Sequence, residues 1–507
     1  MISPYSNSRL WRVVLVFAMF IISNGRTLNS NYPKIRAVNL GGWLVTEGWM
    51  KPSLFDTIPN NDLLDGAALQ LKSMTSGKYL SAEHGGGSII VANRTFGKSW
   101  ETFKLWRING TSFHIRVFNK RFLGLDSNGV RLVAYSTDSE LTSGIFEIIK
   151  KSTNSSLVRI KAPNGLFVQA KSEELVTADS KGDGQWGDTD PSVFNMSITE
   201  VFHGEYQVTN GLGALRASKI MKNHWKKFIV EKDFDFIATS GLNGMRIPVG
   251  WWTARDPTPP KPYVGGSLHY LDKAFMWAKK RNLKVILDLH CAPGSQNGYE
   301  HSSTRDGSLE WGQTEETIQE TLRVIEFFTS RYAKNPSFYA VGLINEPRAP
   351  GVTLSALAKY YKAGYKIVRK HAPNAFVILS TRLDGDPKEI FPIATGMKGV
   401  VIDVHYYNQF SPIFSSMNSQ QNIDFIKTNR SSELQAMTTS NGPLTFVGEW
   451  VAEWEVKGAS KEDYMRYAKT QQEVFGLASF GWAYWSLKNV NNHWSMEWMI
   501  KNGYIKL

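Results

Sequence analysis

Cysteine is almost absent. Cys291 is the single one in 507 residues, so no internal disulfide can form and the fold must rest on a large packed core. A buried small hydrophobe is a better reading of that thiol than a nucleophile. Several catalytic signatures are missing too. There is no H-E-x-x-H, no G-x-S-x-G and no Cys/His group at metal-ligand spacing, which removes zinc hydrolysis and the serine nucleophile elbow. Phe96-Gly97-Lys98-Ser99 has the tail of a P-loop, but Ala92 stands where its first glycine belongs. No apolar run is long enough to span a bilayer. A long basic block is also lacking, although 58 Lys+Arg against 45 Asp+Glu leave a net charge of +13. The scattered positives fit an anionic wall or membrane surface at least as well as nucleic acid.

What is present is a globular composition, 42% apolar and 20% charged, which excludes a disordered or fibrous chain. The 17 Trp, 19 Tyr and 27 Phe fit a large core, and they also suit the packing of rings on sugar faces. Arg9 and Arg12 precede ten apolar residues, Val13 to Ile22, and then Ser23-Asn24-Gly25. That is the pattern of a secretory signal peptide over 1–25, with an uncleaved anchor as the alternative. Asn-x-Ser/Thr sequons follow at Asn93, Asn109, Asn154, Asn195 and Asn429. Four of the five fall between 93 and 195, as expected of a secreted, glycosylated surface domain.

Two architectures alternate along the chain. From 67 to 204, strand-like pieces of four to seven residues alternate with Gly/Asn/Ser turns, without helical periodicity. Gly77-Lys-Tyr79-Leu80, Lys120-Arg-Phe122-Leu123 and Gly165-Leu-Phe167-Val168 align, and a second phenylalanine recurs at Phe103, Phe146 and Phe194. Three matched all-β units predict a threefold barrel. The remainder, 26–66 and 205–507, alternates β and α. Apolar strand runs begin at Ile35, Leu242, Leu283, Tyr339, Ala375, Val400, Leu444 and Phe480, with amphipathic stretches such as Leu268–Arg281 and Glu315–Ala333 between them. Eight such units predict an α/β fold, a (β/α)8 TIM barrel with the all-β domain inserted after its first strand, on the rim where such barrels carry their sites. A doubly wound open sheet is the alternative. It calls for a glycine-rich phosphate loop opening a helix after an early strand, and none does so.

Polar residues finish these apolar strands: Glu47 shortly after the first, Arg246 at the second, His290 at the third, Asn345-Glu346 at the fourth, His405 and Tyr407 at the sixth, Glu449 at the seventh and Trp485 at the eighth. Each alone has a plain structural reading, as an ion pair, a satisfied histidine or barrel filling. Two glutamates converging with Arg, His, Asn, Tyr and Trp on one rim are harder to explain that way. Paired carboxylates without a metal cluster point to glycosidic bond cleavage, one carboxyl giving a proton to the leaving oxygen and the other attacking the anomeric carbon. Arg246 near Glu449 would keep that residue ionised and leave Glu346 to carry the proton. A separation near ~5–5.5 Å would make the reaction retaining.

These residues carry a resemblance. Asn345-Glu346-Pro347 and Gly448-Glu449-Trp450 resemble the family-five retaining glycoside hydrolases. Val38-Asn-Leu-Gly-Gly-Trp43, Arg246-Ile-Pro248, Leu289-His290-Cys-Ala-Pro-Gly-Ser-Gln-Asn-Gly298 and Asp403-Val-His405-Tyr-Tyr407 resemble its exo-β-1,3-glucanase branch. The resemblance implies Glu346 as acid/base, Glu449 as nucleophile and Asn345 on the sugar 2-hydroxyl. It implies that Arg246 and Tyr407 tune the nucleophile, that His290 and His405 frame the −1 sugar, and that Trp485 is the floor beneath it. Glu47 and Glu300 fall where the branch binds non-reducing-end hydroxyls, Tyr299 and Phe410 where aromatics clamp the next sugar. Cys291 and Glu300 depart from the residues commonly found at those positions. The segment 67–204 resembles the fascin-like β-trefoil domains, and the whole arrangement resembles plant wall proteins joining the two. The expected activity is a secreted, exo-acting retaining β-glucosidase on β-glucans or oligosaccharides, by hydrolysis or transglycosylation. An endo-acting glucanase or mannanase, or a non-catalytic carbohydrate-binding wall protein, is the alternative. No cofactor, metal, nucleic acid or membrane span is implied; an anionic wall polymer is a further expected contact.

Overall fold

The computed structural model describes residues 33–138, 142–182, 184 and 186–507; the signal segment expected over 1–25 lies outside them. Eight parallel strands close a barrel: β1 (Ile35–Asn39), then, after an inserted domain, β14 (Gly244–Gly250), β15 (Lys284–Cys291), β16 (Phe338–Gly342), β17 (Phe376–Ser380), β18 (Val400–Tyr406), β19 (Leu444–Trp450) and β20 (Gly481–Tyr484), which pairs back onto β1. Closure removes the open-sheet alternative. Helices such as Ser267–Lys280, Glu315–Tyr332, Leu354–His371 and Lys461–Phe475 lie between consecutive strands and bury one face each against the outside of the barrel. The expected strands are found within a few residues of their expected bounds.

Alternation along the strands divides the barrel interior into two levels. The lower level is apolar: Ile35, Ala37, Ile286, Ala340, Phe376, Ile378, Val401, Phe446, Phe480 and Ala483 form one buried cluster. Two residues further along the same faces the interior turns polar, with Asn39 on β1, Asp288 and His290 on β15, Ser380 on β17, and Asp403 and His405 on β18, while Arg246 on β14 pairs in register with Asn39. Arg246 therefore stands mid-strand rather than at a strand end as expected. Asn345 and Glu346 lie past the end of β16, which stops at Gly342, and Trp485 follows β20.

The inserted domain leaves the barrel between β1 and the helix Glu205–Leu212, on the C-terminal rim. Its twelve strands are β2 (Ala68–Ser73), β3 (Tyr79–Ala82), β4 (Ile90–Arg94), β5 (Phe103–Arg107), β6 (Ser112–Arg116), β7 (Phe122–Leu125), β8 (Leu132–Ser136), β9 (Phe146–Lys151), β10 (Asn154–Lys161), β11 (Phe167–Ala170), β12 (Val176–Ser180) and β13 (Phe194–Glu200). Six of them, β2, β5, β6, β9, β10 and β13, pair antiparallel in a closed ring. The hairpins β3–β4, β7–β8 and β11–β12 stand outside it and touch one another through isolated bridges. The repeating phenylalanines Phe103, Phe146 and Phe194 open β5, β9 and β13 and are fully buried in its core. Among the first aligned aromatics, Tyr79 and Phe167 are only half-buried, and the following Leu80, Leu123 and Val168 fill the core instead.

Candidate active site

The site is built from the polar upper level of the barrel. Arg246, 1% exposed, is its centre: Nη1 donates to Glu449 Oε1 (2.8 Å) and Asn39 Oδ1 (3.0 Å), and Nη2 donates to Asn345 Oδ1 (2.7 Å) and pairs with Asp288 (3.0 Å). Burial works against the guanidinium charge, but Asp288, Glu449 and Asp403 outweigh it and hold the arginine charged. Asp288 in turn accepts from or shares a proton with His290 Nδ1 (2.7 Å), whose ring stacks on Trp485 (5.5 Å, 14°). Trp485 fits there because residue 41 is glycine; a Cβ at Gly41 would stand 2.7 Å from the indole.

Glu449 reaches the pocket through a register shift between β18 and β19 that pairs it with His405. The residue before it must be glycine, since a Cβ at Gly448 would lie 2.2 Å from Asp403 Oδ1, the atom that accepts the Gly448 N–H (2.8 Å). Tyr407 donates its hydroxyl to Glu449 Oε2 (2.7 Å). Glu346 faces it. Its backbone has φ +45°, a left-handed conformation that costs a non-glycine residue about 1 kcal/mol or more and recurs at functional positions. Ser380 Oγ accepts the Glu346 N–H (3.1 Å) and the Asn297 side chain donates to the Glu346 carbonyl (3.1 Å), so the peptides on both sides of Glu346 are held.

The two carboxylates meet at His405. One Glu346 oxygen, one Glu449 oxygen and a ring nitrogen of His405 all lie within 4.8 Å of one another. His405 Nδ1 is 2.5 Å from Glu346 Oε1 and 3.5 Å from Glu449 Oε2, and its Nε2 faces Asp403 (3.4 Å). Burial disfavours the His405 cation, but Glu449, Asp403 and Glu346 pull its pKa well above the usual range. A second histidine, His301, sets Nε2 3.1 Å from Glu346 Oε2 and has its pKa pushed up to about 9 against its own burial, chiefly through Glu346. Burial alone would push the Glu346 carboxyl up; the two imidazoliums instead hold it well below the ordinary range. Both histidines therefore favour the carboxylate over the acid form of Glu346, and a short hydrogen bond links it to His405. Arg246 supplies positive charge to Glu449 within this group.

The other expected residues lie around this centre. Glu47 is buried with Oε2 accepting from Trp49 Nε1 (3.0 Å) and Oε1 without a protein partner; burial pushes its pKa up to about 8. Asn345 likewise leaves its amide nitrogen buried and unpartnered. Glu300 accepts the N–H of His203 (2.9 Å), Gly48 donates to the His203 carbonyl (2.7 Å), and Glu47 bridges Gly204, so three chain segments join into one wall. Tyr299 (40% exposed) and Phe410 (78%) stand at the mouth, Tyr299 beneath the Arg348 guanidinium (4.9 Å) and Phe410 edge-on to Tyr407 (5.7 Å). Cys291 is buried and donates its thiol to the His301 carbonyl (3.0 Å). Of the sequon asparagines, Asn109, Asn154, Asn195 and Asn429 are exposed, whereas Asn93 is half-buried and donates to Glu174 (2.7 Å). Sequence reasoning gave no role to His301, Asp288, Asp403, Asn297 or Trp494, whose ring stacks on Tyr407 (5.8 Å).

Residues 207–491 match the model of the cellulase family (glycosyl hydrolase family 5), and residues 60–199 match a domain of unknown function (DUF7910). A probable glucan 1,3-β-glucosidase A of Emericella nidulans is 32% identical over 360 residues, covering 62% of this chain and 85% of that protein. A glucan 1,3-β-glucosidase of Blumeria graminis is 39% identical over 248 residues, covering 48% and 56%. The crystal structure of a rutinosidase from Aspergillus niger shares the fold at TM-score 0.53 and 21% identity, covering 59% of this chain and 88% of that one. The chain belongs to glycosyl hydrolase family 5 and is a glycoside hydrolase. Among the described residues no helix is long and apolar enough to cross a membrane.

Proposed function

We propose that this protein is an exo-acting, retaining β-glucosidase of β-1,3-linked glucans, the activity that its fungal relatives are named for. One observation carries the reading: the Glu346 and Glu449 carboxylates approach within 4.8 Å, close to the ~5–5.5 Å of retaining enzymes and below the ~6.5 Å that an intervening water needs. Glu449, kept in place by Arg246 and Tyr407, attacks the anomeric carbon as its bond to the leaving oxygen breaks. The leaving oxygen takes the proton held in the Glu346–His405 pair. Glu346, then ionised, takes a proton from water, whose oxygen attacks the same carbon and frees Glu449; a second sugar hydroxyl in place of that water gives transglycosylation. The unpartnered Asn345 amide suits the sugar 2-hydroxyl, and the unpartnered Glu47 oxygen, with Glu300, suits the non-reducing end. Trp485 and His290 floor and frame that sugar, and Tyr299 and Phe410 flank the next. The wall joining Glu47, His203 and Glu300 closes one side of the site and favours exo action.

The same reading extends to the rest of the chain. The closed six-stranded ring with three outer hairpins supports a fascin-like β-trefoil over 67–204 between two parts of the barrel, 26–66 and 205–507. A signal peptide at 1–25 and sugars on Asn93, Asn109, Asn154, Asn195 and Asn429 would make this a secreted glycoprotein of the cell wall, of the plant type its domain arrangement resembles. Arg216, Lys219, Lys222 and Lys226, with Tyr270, line an open groove suited to an anionic wall polymer. The catalytic assignment is tested with azide. Glu449→Gly should lose hydrolysis of an aryl β-glucoside and, with azide, yield the α-glucosyl azide; Glu346→Ala with a dinitrophenyl glucoside should yield the β-azide. The opposite pairing, or a Glu449→Gly variant as fast as the parent, overturns it.

A further inference from the structure

The loop between β15 and the helix Glu315–Tyr332 has two working ends. Its first half carries Asn297, Glu300 and His301 into the site. Its second half, Arg305 to Glu310, lies against the inserted domain. Asp306, 1% exposed, accepts from Trp106 Nε1 (2.9 Å) on β5 and from Arg116 Nη1 (2.6 Å) on β6, and its other oxygen accepts the Ser308 N–H (3.1 Å). The Asp306 carbonyl accepts from Lys104, also on β5. Beside it the Arg305 guanidinium lies 3.6 Å above the Trp106 ring and pairs with Asp65 (2.9 Å), whose second oxygen accepts the Arg107 N–H (3.1 Å). Lys120 of the insert adds an exposed contact to Glu310 (3.3 Å).

This is more than a tether requires, since the ends of β2 and β13 already join the insert to the barrel. The loop spans 23 residues between Cys291 and Glu315, with a single turn at Glu300–Ser302 as its only helix. Near His301 the loop is tied down locally, Asn297 Nδ2 meeting the His301 ring (2.9 Å) and the Cys291 thiol its carbonyl (3.0 Å), and contacts from outside add to this hold. The buried Arg116–Asp306 pair and the Trp106 bond supply such contacts five residues beyond His301.

We infer that the β5–β6 hairpin of the insert is a positioning element for catalysis: by gripping Asp306 and Arg305 it holds the loop, and with it His301, against Glu346. Trp106, Arg116 and Asp306 are its positioning residues. The inference rests on the reading of Glu346 as acid/base. With the grip loosened, His301 withdraws from Glu346 Oε2, a positive charge is lost beside that carboxyl, and its pKa rises. Glu346 becomes a weaker and less well-aimed acid, which matters where the leaving group needs a proton and little where it does not.

The test uses the full-length enzyme carrying Trp106→Phe and Arg116→Met together, with active sites titrated by a 2-fluoro glucoside. Across aryl and alkyl β-glucosides, kcat/KM should fall about 10-fold for the least activated leaving groups and less than about 2-fold for dinitrophenol. The basic limb of the pH profile should move to higher pH. Arg116→Lys should recover most of the loss, and Ile160→Val, in the insert ring but away from the grip, should leave both readouts unchanged. A loss that is equal for all leaving groups after titration, an unmoved basic limb, or no loss at all overturns the inference. Glu346→Ala, measured in parallel, separates the two claims: if it shows no dependence on the leaving group, the acid/base reading fails instead.

Discussion

Asn345 gives its side-chain oxygen to Arg246 at 2.7 Å and keeps its amide nitrogen buried without a protein partner. The orientation is forced, because a guanidinium has only donors and the amide can meet it only through oxygen. The free N–H2 then points to an acceptor the protein does not supply. On the proposed reading a sugar 2-hydroxyl fills that role, with a bond that strengthens as charge develops on the ring. Asn345→Ala should therefore lower kcat/KM for an aryl β-glucoside about 100-fold, yet change it less than about 3-fold for the 2-deoxy analogue. Equal losses on both substrates would show that Asn345 serves only to orient Arg246.

The difference between Asn345 and His301 shows what the sequence makes legible. Asn345-Glu346 follows an apolar strand and stands out by polarity, as do Arg246, His290 and Glu449 within buried runs whose periodicity is clear. The barrel closes because those runs are eight, and the repeating Phe103, Phe146 and Phe194 mark the ring of the insert. His301 has no such signature: it lies in a polar loop, and only the fold of 23 residues brings it to Glu346. The one hint was the length of that loop, well beyond the ~2–6 residues usual after a barrel strand. Asp288 and Asp403 were visible as acids inside apolar strands, but their partners come from other strands, which spacing does not reveal. The direction in which the Glu346 carboxyl shifts is hidden for the same reason, since two histidines distant in sequence set it.

The basic groove beside the helix Ala214–Phe228 gives a prediction independent of the catalytic centre. Arg216, Lys219, Lys222 and Lys226 share one helix face and line it together with Tyr270 of the neighbouring helix Ser267–Lys280. Cations on one solvated face interact with a polyanion through a screened field, so binding should be salt-sensitive. Retention on immobilised polygalacturonate should fall about 10-fold in Lys219→Glu/Lys226→Glu at low salt, with hydrolysis of a small aryl glucoside unchanged. Retention equal to that of the parent would assign the groove no part in wall contact.

Stability should decline as pH rises from about 5 to 8. Burial pushes the carboxyls of Glu47, Glu205 and Asp65 up to about 8, 7 and 6. Each keeps in the folded state a proton that the unfolded chain gives up near ~4. The folded form thus binds more protons through this window, and unfolding becomes easier with rising pH. His301, pushed up to about 9, acts in the same direction: its contribution is complete below its unfolded value and lost as pH climbs through 9. Glu346, held low, opposes this only under acid conditions, because its contribution is present above its unfolded pKa and lost as pH falls towards its folded one. Glu47→Gln keeps the shape and cannot ionise. Relative to the parent it should therefore gain stability between pH 5 and 7, on the order of 2 kcal/mol, read as a flatter dependence of Tm on pH. Parallel Tm curves for the two proteins would mean that Glu47 is ionised in the fold, with a cation or water beside the oxygen that now has no protein partner.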